Sequence, residues 1–205
     1  MRLGMGPETY TVDDPLPGGI DVEAVARQMP RSFLAKGMFF ARIAAQLKEE
    51  FAALEPGLDA APRLGRYLPF SDYPLSDYVR VSAAAAQKTY PKLPLREALR
   101  RLGRDDFGVF AGSTFGKVLL AAVGDARSVL LRTPIIYEKM APGDWKVVAE
   151  ELDADTVRLT FGPMYGGWEY QLGQLEGVVL SYGGSPRTTV TERPGRTVLF
   201  DIRHG

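Results

Sequence analysis

The chain has 205 residues, of which 45% are hydrophobic and 24% charged, and its 25 basic residues balance 25 acidic ones. Those are globular proportions, and a formal charge of zero supplies no general attraction to nucleic acid or to an anionic membrane. With no cysteine and a single histidine, disulfides, thiolate nucleophiles, iron–sulfur clusters and cysteine-held zinc are excluded.

The first 20 residues hold Pro7, Pro15, Pro17, Gly18 and Gly19, a density of breakers that predicts an extended arm with a short strand at Thr9–Val12. Residues 21–205 are expected to form one domain, a size able to bury roughly 70% of the surface of the unfolded chain. Asp21 stands where it can cap a short helix that Pro30 ends. From Ser32 to Leu54 the apolar spacing predicts one long amphipathic helix, weakened at Gly37. Glu55–Pro74 reads as a proline-punctuated loop pinned by Tyr67, Phe70 and Tyr73. Leu75–Tyr90 is helical, and the next helix starts near Pro94 and stops at Gly103. Asp105 and Asp106 suit a new helix N-terminus, which carries Phe107, Phe110 and Val118 up to Gly124. Asp125 opens another helix, interrupted at Pro134.

After Gly143 the period changes. Trp145–Leu152 and Thr156–Phe161 read as strands joined by a turn at Asp153–Asp155. Trp168–Tyr182 returns to helical spacing, and Arg187–Glu192 and Thr197–Ile202 are strands around Pro194–Gly195. The fold class is therefore α+β: a helical half, then a β-β-α-β-β unit forming a four-stranded antiparallel sheet packed against helices.

Four segments carry a family resemblance. They are Ala35-Lys-Gly-Met-Phe-Phe40, Tyr67-Leu-Pro-Phe-Ser-Asp-Tyr-Pro74, Tyr90–Arg104 and Gly173-Gln-Leu-Glu-Gly177. They resemble a large myxobacterial paralogous family of uncharacterised proteins, from Val22 onward, most specifically over Pro94–Arg104. The order of elements, with a Gly-x-x-x-Gly helix in the C-terminal unit, is also similar to 4-vinyl-reductase-type domains, haem nitric-oxide sensors and TRAPP-complex subunits. That similarity implies a ligand-binding fold. It does not extend to haem, whose sensors need an axial histidine on a helix. The only histidine here is His204, and Tyr182-Gly-Gly-Ser-Pro-Arg187 is one residue too long for the Tyr-x-Ser-x-Arg propionate motif.

Catalytic patterns are weak. A serine–histidine–acid triad would have to recruit His204 at the chain's end, where positioning is poor. The acid pairs Asp13–Asp14, Asp105–Asp106 and Glu150–Glu151 are adjacent in sequence, so their carboxylates point apart. Two other features stand out. Lys92, Arg96, Arg100 and Arg104 recur every four residues and form a basic helical stripe. It reads as a solvated face or as a surface for phosphate, nucleotide or an acidic partner. Gly108, Gly112 and Gly116 also recur every four residues, at a helix cost of roughly 0.8–1 kcal/mol each. Close backbone approach would offset that cost, from a crossing helix, a dimer partner or a ligand.

The reading is a non-enzymatic cytoplasmic binding or adaptor domain that self-associates. The alternative is a sensor holding an apolar or anionic small molecule between helices and sheet. A protein partner or a second copy of the chain is expected, but not nucleic acid, a membrane span or a cofactor.

Overall fold

Alternation with period two in the last third of the chain builds the sheet. β5 (Thr156–Gly162) turns Val157, Leu159 and Phe161 inward, and β7 (Thr197–Arg203) turns Val198, Phe200 and Ile202 the same way. β4 (Lys146–Glu151) and β6 (Arg187–Arg193) flank them. The computed structural model, which describes residues 6–60, 62, 66–121 and 123–205, adds a fifth strand. β1 (Glu8–Thr11) pairs antiparallel with β6, Glu8 facing Val190, so the order is β1-β6-β7-β5-β4. The expected four-stranded sheet is thus extended by the N-terminal arm, whose Leu16 is fully buried in the sheet's core. Residues 1–5 of the expected arm lie outside the described residues.

α8 (Trp168–Ser181) lies over the sheet, and α7 (Ala126–Met140) packs beside β4. Together they close one apolar core that includes Phe161, Phe200, Trp168, Leu172, Leu130 and Leu16. A second core is helical. α2 (Gly37–Leu47), α4 (Leu75–Thr89) and α5 (Leu95–Gly112) bury Phe40, Ile43, Leu47, Val81 and Leu102. α1 (Val22–Gln28) lies against α4, its first turn capped by Asp21, which accepts from the Ala24 amide at 2.9 Å.

Four sequence expectations are corrected. The helix over Ser32–Leu54 is three elements. Leu34–Lys36 is strand β2, paired with β3 (Asp72–Pro74), then come α2 and the short α3 (Glu49–Leu54). The pairing ties down the proline-rich loop, which apolar periodicity cannot reveal. In that loop Tyr67 and Tyr73 pack on Phe40 at 4.8 and 5.5 Å, whereas Phe70 is 71% exposed and pins nothing. α5 runs unbroken through Gly103 to Gly112, because Asp106 is a buried acceptor inside it rather than a helix start; the next helix, α6 (Thr114–Leu120), is capped by Ser113. α7 continues through Pro134, since packing of Val129, Leu130, Thr133 and Met140 outweighs the roughly 3 kcal/mol that an internal proline costs.

Lys48 divides α2 from α3 at φ 55° and ψ −122°, a conformation suited to glycine at a II′-like corner. Lys48→Gly should therefore stabilise the protein by about 1 kcal/mol, read as a higher midpoint in thermal unfolding.

Candidate functional site

The basic stripe is placed against α8. Lys92 is exposed in the turn ahead of α5. Arg96 pairs with Glu169 at 2.5 Å and lies 5.0 Å above the Trp168 ring. Burial pushes the Glu169 carboxyl up, with Arg96 opposing. Arg100 is fully buried and grips both oxygens of the equally buried Glu176 through Nε and Nη2, while Arg104 also donates to Glu176 Oε2 at 2.8 Å. Arg100 also donates to the Asp14 carbonyl at 2.6 Å and the Thr11 carbonyl at 2.5 Å, and Glu97 accepts the Leu16 amide at 3.1 Å. The stripe therefore binds the chain's own arm and α8. Its neutralising acids, Glu169 and Glu176, stand seven apart on one face of a helix about 70 residues later, where inspection of the stripe alone cannot find them.

The expected glycine seam is also redistributed. A Cβ at Gly108 or Gly112 would meet nothing within 4 Å, and beside them Val109 is 51% exposed. Gly116 is held locally, against the Phe110 carbonyl. Close approach instead occurs where α5 crosses α8. A Cβ on Gly103 would lie 2.1 Å from the Tyr170 carbonyl oxygen, and one on Gly173 would lie 1.8 Å from that of Arg100. Gly177 approaches Arg104 in the same way, at 2.8 Å. The Gly173–Gly177 spacing was the sequence signal for this contact.

On its other side α8 faces open space. A cavity of about 100 Å³ lies between α2, α4, α5, α7 and α8, lined by Phe39, Phe107, Phe110, Ile136, Tyr137 and Val178 among others. A second, of about 60 Å³, lies between α1, α4 and the Pro163–Gly167 loop. Leu75, Tyr78, Trp145, Tyr170 and Gln171 line both, so the two are lobes that adjoin along a shared wall. Neither lobe is lined by a charged residue. Both are bordered mainly by helices and loops, rather than lying between helices and sheet as expected.

The wall's polar atoms are organised from α5. The Tyr78 and Tyr170 hydroxyls are 2.8 Å apart, Tyr170 donates to Asp106 at 2.5 Å, and Arg42 forms an ion pair with the second Asp106 oxygen. Tyr137 donates to Gln174 at 2.8 Å. Desolvation pushes all three phenols upward, so they stay protonated and act as neutral donors. The side-chain oxygen of Gln171 is buried and has no hydrogen-bond partner. Apart from Asp106, expected at a helix start, and Gln174, within the Gly173–Gly177 segment, none of these residues was singled out from the sequence. Tyrosines and glutamines on otherwise apolar helices look like ordinary core or surface positions until the helices are placed.

Residues 27–204 match the family described as Protein of unknown function (DUF2378), and the chain belongs to it. No curated protein matches. Among solved structures, an H-NOX protein from S. oneidensis is 14% identical with a TM-score of 0.63, over 83% of this chain and 96% of that one. An unliganded Fe(II) H-NOX variant from K. algicida is 18% identical with a TM-score of 0.61, again over 83% and 96%. A third, from work on heme distortion in the H-NOX family, is 17% identical with a TM-score of 0.60, over 82% and 94%. The fold is therefore H-NOX-like. The residues present do not fit a haem. His204 follows the last strand and lines neither lobe, and the larger lobe is far smaller than a porphyrin.

Two predictions separate these roles. Arg100→Gln leaves Glu176 buried with its main partner lost and should cost about 3–5 kcal/mol. Replacing Arg96, Arg100 and Arg104 together should abolish cooperative unfolding, as followed by circular dichroism, instead of leaving the melting temperature unchanged as a solvated stripe would. At the glycines the signs should oppose. Gly173→Ala should destabilise by about 3 kcal/mol through overpacking, while Gly108→Ala should stabilise by about 1 kcal/mol, both measured by urea denaturation.

Proposed function

We propose that the chain is a non-enzymatic small-molecule sensor domain that holds a neutral, predominantly apolar ligand in the two-lobed cavity between its helices. The observation that carries this reading is the lining itself: aromatic and aliphatic side chains, four tyrosines, two glutamines, the Ser82 and Thr133 hydroxyls, and no charge in either lobe. An anionic ligand would enter without a cation to replace its hydration, at a cost of several kcal/mol. The neutral alternative is therefore favoured over the anionic one. The lining also lacks a carboxylate, histidine or lysine to move a proton, which supports binding rather than catalysis. Each lobe is smaller than the roughly 150 Å³ space that accepts a benzene ring, so the two are read as one site for a single-ring or fused-ring molecule.

The H-NOX-like fold supports a sensor over the adaptor reading, by analogy of architecture. Thermal unfolding in the presence of toluene, indole or benzoate tests the proposal. The neutral arenes should raise the melting temperature, by mass action on the folded state, and benzoate should not. Val129→Phe, which fills the larger lobe, should remove the effect while the protein stays folded. Absence of any shift with neutral arenes would reject the reading.

A further inference from the structure

The cavity's polar groups are unequal. Tyr78, Tyr170 and Asp106 satisfy one another, Arg42 completes the set, and Tyr137 is committed to Gln174. Thr133 turns back to the Val129 carbonyl of its own helix at 3.4 Å. Two lining groups differ: the Ser82 hydroxyl, in the smaller lobe only, and the side-chain oxygen of Gln171, in the wall shared by both lobes, are buried with no partner. A buried acceptor left unpaired carries a desolvation cost that a paired one does not. For Gln171 its own helix cannot remove that cost. The residues beside it in the wall are Leu75, Trp145, Tyr78 and Tyr170, and the two tyrosine hydroxyls already face each other and Asp106.

The structure assigns Gln171 as the specificity-determining residue of the cavity, selecting ring-sized neutral ligands that carry one hydrogen-bond donor, an N–H or O–H, at the wall shared by the lobes. This rests on the cavity reading above and deepens it. A donor at that point meets the unpaired Gln171 oxygen while the ring occupies the two adjoining lobes. A molecule of equal shape that offers only an acceptor leaves the Gln171 oxygen unpaired. The selection is thus by loss as well as by gain, since the mismatched ligand retains the penalty that the matched one removes. Both of α8's glutamines lie on its cavity side, so Gln174 supplies the comparison: its oxygen is already occupied by Tyr137.

Indole and benzofuran, alike in shape but with the N–H replaced by an ether oxygen, are suitable probes. By calorimetric titration the wild-type chain should bind indole about tenfold more tightly than benzofuran. Gln171→Leu should bind both with similar affinity, its benzofuran affinity equal to or above that of the wild type. In the wild-type protein, the side-chain amide resonance of Gln171 should move with indole and stay in place with benzofuran, which keeps the test independent of how well the variant folds. Equal affinities in the wild type, or an indole preference that survives in Gln171→Leu, would overturn the assignment while leaving the cavity reading intact. Failure of the wild type to bind either compound would overturn both.

Discussion

The backbones of α5 and α8 touch, and much of the molecule is arranged around that contact. Gly103, Gly173 and Gly177 leave no side chain in the crossing, so the carbonyls of Arg100, Arg104 and Tyr170 come closer than any Cβ would allow. At that separation Glu176 cannot reach water. It is fully buried, and a lone buried carboxylate would cost several kcal/mol. Arg100 and Arg104 answer it from the facing helix, and Arg100's remaining donors are what hold the arm. The arm in turn supplies the outer strand of the sheet. One close crossing thus leads to a buried ion pair, a tethered N-terminus and a fifth strand.

The same helix divides the interior by chemistry. Toward α5 and the arm α8 presents Glu169, Gly173, Glu176 and Gly177; toward the cavity it presents Tyr170, Gln171, Gln174 and Val178. Charge is confined to the first face and neutralised there. That separation keeps the cavity uncharged although the chain is one quarter ionisable. The side chains on one face of α8 thus set the chemistry of the cavity it lines.

Elements whose evidence is local were legible in the sequence. The strands from Lys146 onward, α8, and the Asp21 and Asp125 caps follow from alternation, helical spacing and capping chemistry, and the structure places each within a residue or two. What was not legible depended on partners distant in the chain. Leu34–Lys36 is a strand only because Asp72–Pro74 lies beside it. Asp106 resembles a helix start until Tyr170 and Arg42 converge on it. Arg100 resembles a surface cation until Glu176 is brought opposite. The cavity was least visible of all, since its residues come from six helices and none carries a recognisable motif.

The position of Arg100 also bears on how the chain acquires its structure during synthesis. Its carbonyl acceptors, Thr11 and Asp14, are made first, 89 and 86 residues earlier, while its carboxylate follows 76 residues later. Helices α1 to α5 can assemble as they emerge, because the contacts that bury Phe40, Ile43 and Leu47 lie mostly among themselves. They cannot close. Until α8 arrives, the groove that will receive Gly173 is open and a guanidinium destined for the interior remains hydrated, holding the arm only loosely. Glu8 must then wait longer still for Val190. The β1–β6 pairing joins the two ends of the chain, and pairings of such long range are slow to form and leave apolar surface exposed meanwhile.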